Sequence, residues 1–251
     1  MYEKETKSDL IEEALRIAKL AEERNLTLRL IGAAAIRVHT PKYASMHIGM
    51  KRELSDLDFV GYSKQGAKIT AFLEDNGYEK RALRPSYGLE MRHIYLDNKN
   101  NRQLDVFLDK LLMCHVVDFT GRLEIDYPTI PLAELLLTKL QIVNFTEKDL
   151  KDTVVLFREH EVGKSDKETI NSDRIAEIMS DDWGFYYTAT TNLKKIRDLL
   201  PTLEPLKKED IENVTTKINQ LLDEIEKRPK SFGWKMRAKV GTKKKWYKEV
   251  F

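Results

Sequence analysis

Glu53-Leu54-Ser55-Asp56-Leu57-Asp58-Phe59-Val60 carries two aspartates separated by a single apolar residue. In a strand, residues i and i+2 share a face, so Asp56 and Asp58 project together while Leu57 and Phe59 point the other way. Two carboxylates that close repel each other unless a cation sits between them. Mg²⁺ takes hard oxygen ligands of this kind and completes its shell with substrate phosphates. The pair points to metal-dependent phosphoryl transfer; a solvated strand end is the plain alternative.

Working outward, Thr27-Leu28-Arg29-Leu30-Ile31 reads as a short strand ending at Gly32, and Ala33 to Arg37 as the first turns of a helix. Glycine lets a ligand approach the backbone closely, and free N–H groups at a helix start suit a phosphate. Downstream, Arg102-Gln103-Leu104-Asp105-Val106-Phe107-Leu108-Asp109 alternates, with Leu104, Val106 and Leu108 on one face and Asp105, Phe107 and Asp109 on the other. If this strand lies beside the first, Asp105 joins Asp56 and Asp58 in a three-carboxylate cage. Metals held that way clamp the attacking and leaving oxygens of an in-line displacement. The third carboxylate is then placed to take the attacking hydroxyl's proton. Next, Pro131-Leu132-Ala133-Glu134-Leu135-Leu136-Leu137-Thr138-Lys139-Leu140 puts one lysine on an apolar helix. A lysine there snorkels to the edge or needs an anion, either a nucleotide triphosphate or a core carboxylate such as Glu134 or Asp152. Asp149 and Asp152 open the following helix, where the dipole favours negative charge.

The remaining pattern gives the organisation. Residues 8–24 have helical apolar spacing, 54–62 read as the aspartate strand, and 64–76 as a helix closed by Gly77. Strand patterns follow at 78–83, 90–96 and 102–108, and His39 to Lys51 reads as a polar loop. Beyond Pro131 only helices are expected, at 132–144, 148–160, 172–179, 183–199 and 208–227. This predicts an α/β (α+β) class: a mixed-sheet domain over 1–130, a helical domain over 131–228 and a basic tail over 229–251.

The 251 residues are 41% hydrophobic and 33% charged, enough for a real core and typical of a soluble protein. No stretch approaches the roughly 20 apolar residues of a membrane span, and the charged start Met1-Tyr2-Glu3-Lys4-Glu5 is unlike a secretory signal. A single cysteine, Cys114, excludes an internal disulfide and fits a reducing, cytoplasmic setting. The net charge of +2 is unevenly spread: residues 227–251 carry ten Lys and Arg against Glu249 alone, a net +9 that leaves −7 for the rest. Segregation of that size concerns a polyanionic partner. Lys235, Arg237, Lys243, Lys244, Lys245 and Trp246 are candidate nucleic-acid contacts, since bases stack on rings set among cations. The alternative is a solvated tail that packs its aromatics on the domain.

The order strand–Gly–helix, Asp-x-Asp strand, Asp strand, apolar helix with Lys resembles the DNA polymerase beta-type nucleotidyltransferase superfamily. That superfamily has a strand ending in Gly-[Gly/Ser], then Asp-x-[Asp/Glu], then a third acid on a later strand. Within it the chain looks most like the AbiEii-type nucleotidyltransferases, many of them toxins of toxin–antitoxin pairs, whose helix lysine and later Asp-x-x-Asp-like segment correspond to Lys139 and to Asp149 with Asp152. The resemblance spans residues 28–155. It implies that Gly32 and the Ala33 amide hold the triphosphate and that Asp56 and Asp58 bind Mg²⁺ (or Mn²⁺). It further implies that Asp105 binds metal and activates the acceptor, and that Lys139 contacts nucleotide phosphates. Two departures stand out: Ala33 replaces the usual Gly or Ser, and His39 to Lys51 lengthens the gap from Gly32 to Asp56.

The expected reaction is transfer of a nucleoside monophosphate from an NTP to a hydroxyl acceptor. An RNA or tRNA end is the acceptor the basic tail favours, a small aminoglycoside-like molecule is the alternative, and a protein antitoxin is a candidate partner. The competing expectation is a degenerate nucleotidyltransferase fold serving as a nucleic-acid or protein-binding module. His93 and His115 are candidates for the site only as isolated histidines, which are more often structural.

Overall fold

A computed structural model describes residues 7–81 and 92–249. The chain divides into two compact units. The first comprises residues up to 39, 53–112 and 117–131; the second comprises 40–52, 113–116 and 132–251.

The first unit is a mixed five-stranded sheet with helices. Its elements are α1 (Lys7–Glu23), β1 (Leu28–Ile31), α2 (Gly32–His39), β2 (Leu57–Gly61), α4 (Gly66–Asp75), β3 (Glu79–Lys80), β4 (Arg92–Asp97) and β5 (Arg102–Leu108). The intervening α3 (Ala44–Gly49) belongs to the other unit. The strand order is β1-β2-β5-β4-β3, with β2 and β5 parallel and the other pairs antiparallel. The strand expected at 78–83 is β3 at 79–80, and residues 82–83 lie outside the described residues, as do 90–91 of the strand expected at 90–96. The aspartate strand starts only at Leu57, so Asp56 stands just before it.

Alternation explains the sheet's core face. Leu57 and Phe59 of β2, Leu104 and Val106 of β5, and Tyr95 of β4 are all buried. Helix α4 covers them: Thr70 hydrogen-bonds the Tyr95 hydroxyl at 2.8 Å, and Ile69 approaches Gly61 so closely that a Cβ there would meet it at 2.8 Å. Each fully buried Leu or Phe on this face contributes about 1.5–3 kcal/mol. Helix α1 packs on β1 and α2, and its Ala14, Ile17, Ala18 and Ala21 are fully buried. The outer side of β1 is not left open, because Leu30 N–H donates to the Pro128 carbonyl at 2.9 Å and Ile130 N–H returns to Leu30 at 3.3 Å. A short ribbon, β6 (Lys110–Leu112) and β7 (Val116–Asp118), follows β5.

The second unit is built around α5 (Leu132–Leu140), whose every residue but Lys139 is buried. Around it lie α6 (Glu147–Glu159), α7 (Ser172–Asp181), α8 (Trp183–Leu199) and α9 (Lys208–Lys227). The expectation of helices alone is corrected by β8 (Glu161–Gly163) and β9 (Thr169–Asn171), a three-residue parallel pair too short to show alternation. The Asn192 amide donates to the carbonyls of Leu140 (2.9 Å) and Ile142 (2.8 Å), satisfying acceptors that the end of α5 exposes. The expected tail is also folded: α10 (Phe232–Val240) is capped by Ser231 and packs on α8. Among the described residues no helix is long and apolar enough to cross a membrane.

A buried ionic cluster holds α3's segment, α5 and α6 together. Arg52 grips Asp152 with two hydrogen bonds of 2.8 Å, and Lys139 Nζ lies 2.8 Å from Asp152 and 3.6 Å from Asp149. Asp149 also closes a capping box with Thr146 at the start of α6. Burial alone would push the Asp152 carboxyl up, but Lys139 and Arg52 outweigh it and hold it below the usual carboxylate range. Burial likewise opposes the Lys139 ammonium, yet Asp152 and Asp149 hold its pKa above the ordinary value. Two further contacts fasten the 40–52 segment: Glu159 accepts from the Lys42 and Tyr43 amides, and Arg158 lies over the Tyr43 ring at 4.4 Å.

Because the folded Asp152 pKa is depressed, its contribution is present above about pH 4 and is lost as pH falls through the lower folded value. Asp152→Asn is therefore expected to cost about 3 kcal/mol at pH 7. Urea unfolding across pH should show that cost shrinking below about pH 4. A cost equal at pH 3 and pH 7 contradicts this account.

Candidate functional site

The pairing of β2 with β5 sets Asp58 directly opposite Asp105, and the pairing of β1 with β2 sets Ile31 opposite Asp58. The sequence therefore brings Asp58, Asp105 and the residue before Gly32 into one row across three strands. The row faces away from the apolar core, because Leu57, Phe59, Leu104 and Val106 take the other side by alternation.

Gly32 is fixed by geometry. Its φ is +67°, in the left-handed region, and a Cβ at this position would lie 2.5 Å from Asp58 Oδ2. The carboxylate thus rests against the bare Cα at the point where strand β1 turns into helix α2. Gly32 and Ala33 are both half-buried, so their backbone is reachable.

Asp105 is only 1% exposed, and the structure gives it a cation that the sequence reading missed. Arg92, on the neighbouring β4, donates from Nε to Asp105 Oδ2 at 3.2 Å and from Nη2 to the same oxygen. Gln103 Nε2 donates to the other oxygen at 3.2 Å. Arg92 also lies over the Phe107 ring at 5.5 Å, which fixes its plane. The sequence carries no local signal for this contact, because only the antiparallel register, which sets Arg92 opposite Phe107, brings it to Asp105. Asp56 is half-exposed and accepts from Ser55 Oγ at 2.8 Å.

Among the described residues, no three His, Cys, Asp or Glu side chains are disposed to hold a metal ion. The donor chemistry of Asp56 and Asp58 suits a hard divalent cation. Asp105 is already engaged by Arg92, so the expected cage is here a register pair with a guanidinium on its buried member.

The other expected residues have clear places. The anion that Lys139 needs is Asp152, seconded by Asp149, whereas Glu134 is fully buried against Arg174 at 3.0 Å. His93 pairs with Val106 across β4–β5 and so takes the face opposite Asp105. Burial, then Lys80, lowers its pKa, and its Nδ1 meets the Tyr95 hydroxyl at 3.3 Å. His115 belongs to the second unit, stacked on Phe185 with ring centroids 5.0 Å apart. Burial pushes it down to about 4. Both histidines have partners within their own unit.

In the basic segment, Trp234 meets Tyr186 edge-on and Trp246 meets Tyr187 edge-on, both at 5.1 Å. Trp246 Nε1 also donates to Thr188 Oγ1 at 3.0 Å. Arg237 lies over Trp183 at 4.7 Å and donates to the carbonyls of Gly241 and Lys244, each at 2.7 Å. Trp246 and Arg237 are thus committed to packing, while Lys235, Lys243, Lys244 and Lys245 are exposed, the last paired with Glu249.

Gly32→Ala is expected to cost about 1–2 kcal/mol from backbone strain alone, with Asp58 displaced. Ala33→Gly, the control, should cost about 1 kcal/mol or less. Urea unfolding measures both; a Gly32→Ala protein as stable as the parent contradicts the left-handed conformation at Gly32.

No family model matches the chain, and no curated protein matches it in sequence. Solved structures are similar to it. One is ANT(2")-Ia in complex with adenylyl-2"-tobramycin, at 14% identity over 59% of this chain and 87% of that one, with a TM-score of 0.39. Another is the solution structure of the antibiotic-resistance factor ANT(2'')-Ia, at 13% identity over 88% and 97%, with a TM-score of 0.41. A third is an antigenic nucleotidyltransferase-like protein from Paracoccidioides brasiliensis, at 12% identity over 90% and 96%, with a TM-score of 0.45.

Proposed function

We propose that the chain is a Mg²⁺-dependent nucleotidyltransferase that moves a nucleoside monophosphate from an NTP to a hydroxyl acceptor. The observation that carries this reading is Asp58 and Asp105 in register beside Gly32, with a bare Cα against the first carboxylate.

In this reading the amides of Gly32 and Ala33 hold the triphosphate at the start of α2. Asp56 and Asp58 would hold Mg²⁺ (or Mn²⁺), which when bound neutralises triphosphate charge. Asp105 accepts the proton of the acceptor hydroxyl. The hydroxyl oxygen bonds to the α-phosphorus, the bond from that phosphorus to the bridging oxygen breaks, and pyrophosphate leaves. Arg92 and Gln103 orient Asp105 for this role. Such catalysis is positioning and charge neutralisation, with little covalent work for the protein.

Arg92 also favours a second reading, a degenerate nucleotidyltransferase fold that binds without transferring, since a guanidinium on Asp105 neutralises that carboxylate without a metal. Incubation with α-labelled NTP and Mg²⁺ separates the two. Transfer should fall by about 10²–10⁴-fold in Asp58→Asn and Asp56→Asn with the fold retained. Labelling that is absent in the parent, or unchanged in both variants, contradicts the enzyme.

RNA is the acceptor this account favours, from the net +9 of residues 227–251. Because Trp234 and Trp246 pack on α8, removing the whole segment would disturb the second unit, so charge reversal is the cleaner probe. Lys243→Glu with Lys244→Glu should weaken binding to a single-stranded RNA and reduce the slope of log K against log salt by about 1–2. An unchanged slope assigns these lysines elsewhere.

A further inference from the structure

Helix α10 has two unlike faces. Trp234 and Arg237 face α8, as their ring and cation–π contacts with Tyr186 and Trp183 show. On the far side, Phe232, Met236 and Val240 stand at i, i+4 and i+8 and are 80%, 47% and 42% exposed. Each step of four residues advances about 40° around a helix, so the three form one continuous ridge. Of the eight large apolar side chains left exposed among the described residues, three fall on this ridge. Lys235 and Lys239 are exposed along one flank of it, and Lys243 and Lys244 extend the charge past its end.

We propose that this ridge is a docking surface for an acidic amphipathic helix of another protein. A ridge of residues four apart packs into the groove of a facing helix, and a protein partner recognised this way is read through i, i+4 anchors. The flanking lysines require glutamate or aspartate along the partner's edge. A second copy of this chain is disfavoured, because two such ridges would bring two net +9 segments together. RNA is disfavoured along the ridge, because Met236 and Val240 offer neither a stacking plane nor a charge, Phe232 is the ridge's single ring, and the Trp234 and Trp246 rings are turned onto α8.

The test titrates the full chain with three fluorescent probes. They are an amphipathic peptide of about five helical turns with a leucine stripe and glutamate flanks, a polyglutamate of equal length and charge, and a single-stranded RNA. The amphipathic peptide should bind at least about tenfold tighter than polyglutamate. Phe232→Ser with Met236→Ser should remove that advantage while leaving RNA binding and the melting temperature unchanged. Lys235→Glu with Lys239→Glu should weaken both peptides. Equal binding of the two peptides overturns the proposal, as does loss of RNA binding in the apolar variant, which would make the ridge a nucleic-acid surface.

Discussion

Asp58 and Asp105 stand opposite each other on neighbouring parallel strands, and strands so paired lie about 4.8 Å apart. Two carboxylates on facing positions of one sheet face repel each other, and an adjacent cation lets both stay charged. The rest of the site follows from this demand. Asp58 lies against Gly32, where no Cβ fits, and Asp105 is buried only because Arg92 and Gln103 meet its oxygens. In the proposed reaction the same demand for positive charge is what draws a divalent ion and a triphosphate to the row. Arg92 then orients the buried carboxylate, which neither Lys nor a neutral donor would do with the same planar fork.

A second ionic centre explains an oddity of spacing. The stretch between Gly32 and Asp56 is long because Thr40–Arg52 is not a loop of the sheet unit. It carries α3 and ends in Arg52, which closes on Asp152 from one side while Lys139 closes from the other. Breaking either contact leaves a buried charge short of a partner, which costs more than the intact cluster contributes over an apolar core.

Where the sequence has a strong local period, its elements are readable. The alternation of Leu104, Val106 and Leu108 gives β5, the helical spacing gives α8 and α9 at their observed bounds, and Gly77 ends the α4 region with φ +88°. The register of Asp58 beside Asp105 was legible because alternation fixes which side chains share a face, whereas Asp56 precedes the strand and alternation does not place it in that row. Arg92 on Asp105 was not, since the two are separated by thirteen residues and joined only by the register of β4 with β5. Arg52 on Asp152, one hundred residues apart, leaves no local trace at all. Helix α10 was hidden for another reason. Its packed face is Trp234 and Arg237 rather than aliphatic, and its aliphatic residues point outward, so its pattern reads as a basic tail.

The central claim is that the carboxylate row beside Gly32 binds a metal-bound nucleotide. Isothermal titration of the full chain with an NTP, with and without Mg²⁺, tests it most directly. The account predicts binding that requires Mg²⁺ and is abolished by Asp58→Asn at unchanged melting temperature. Nucleotide binding that is absent, or that persists without Mg²⁺ and in Asp58→Asn, contradicts it.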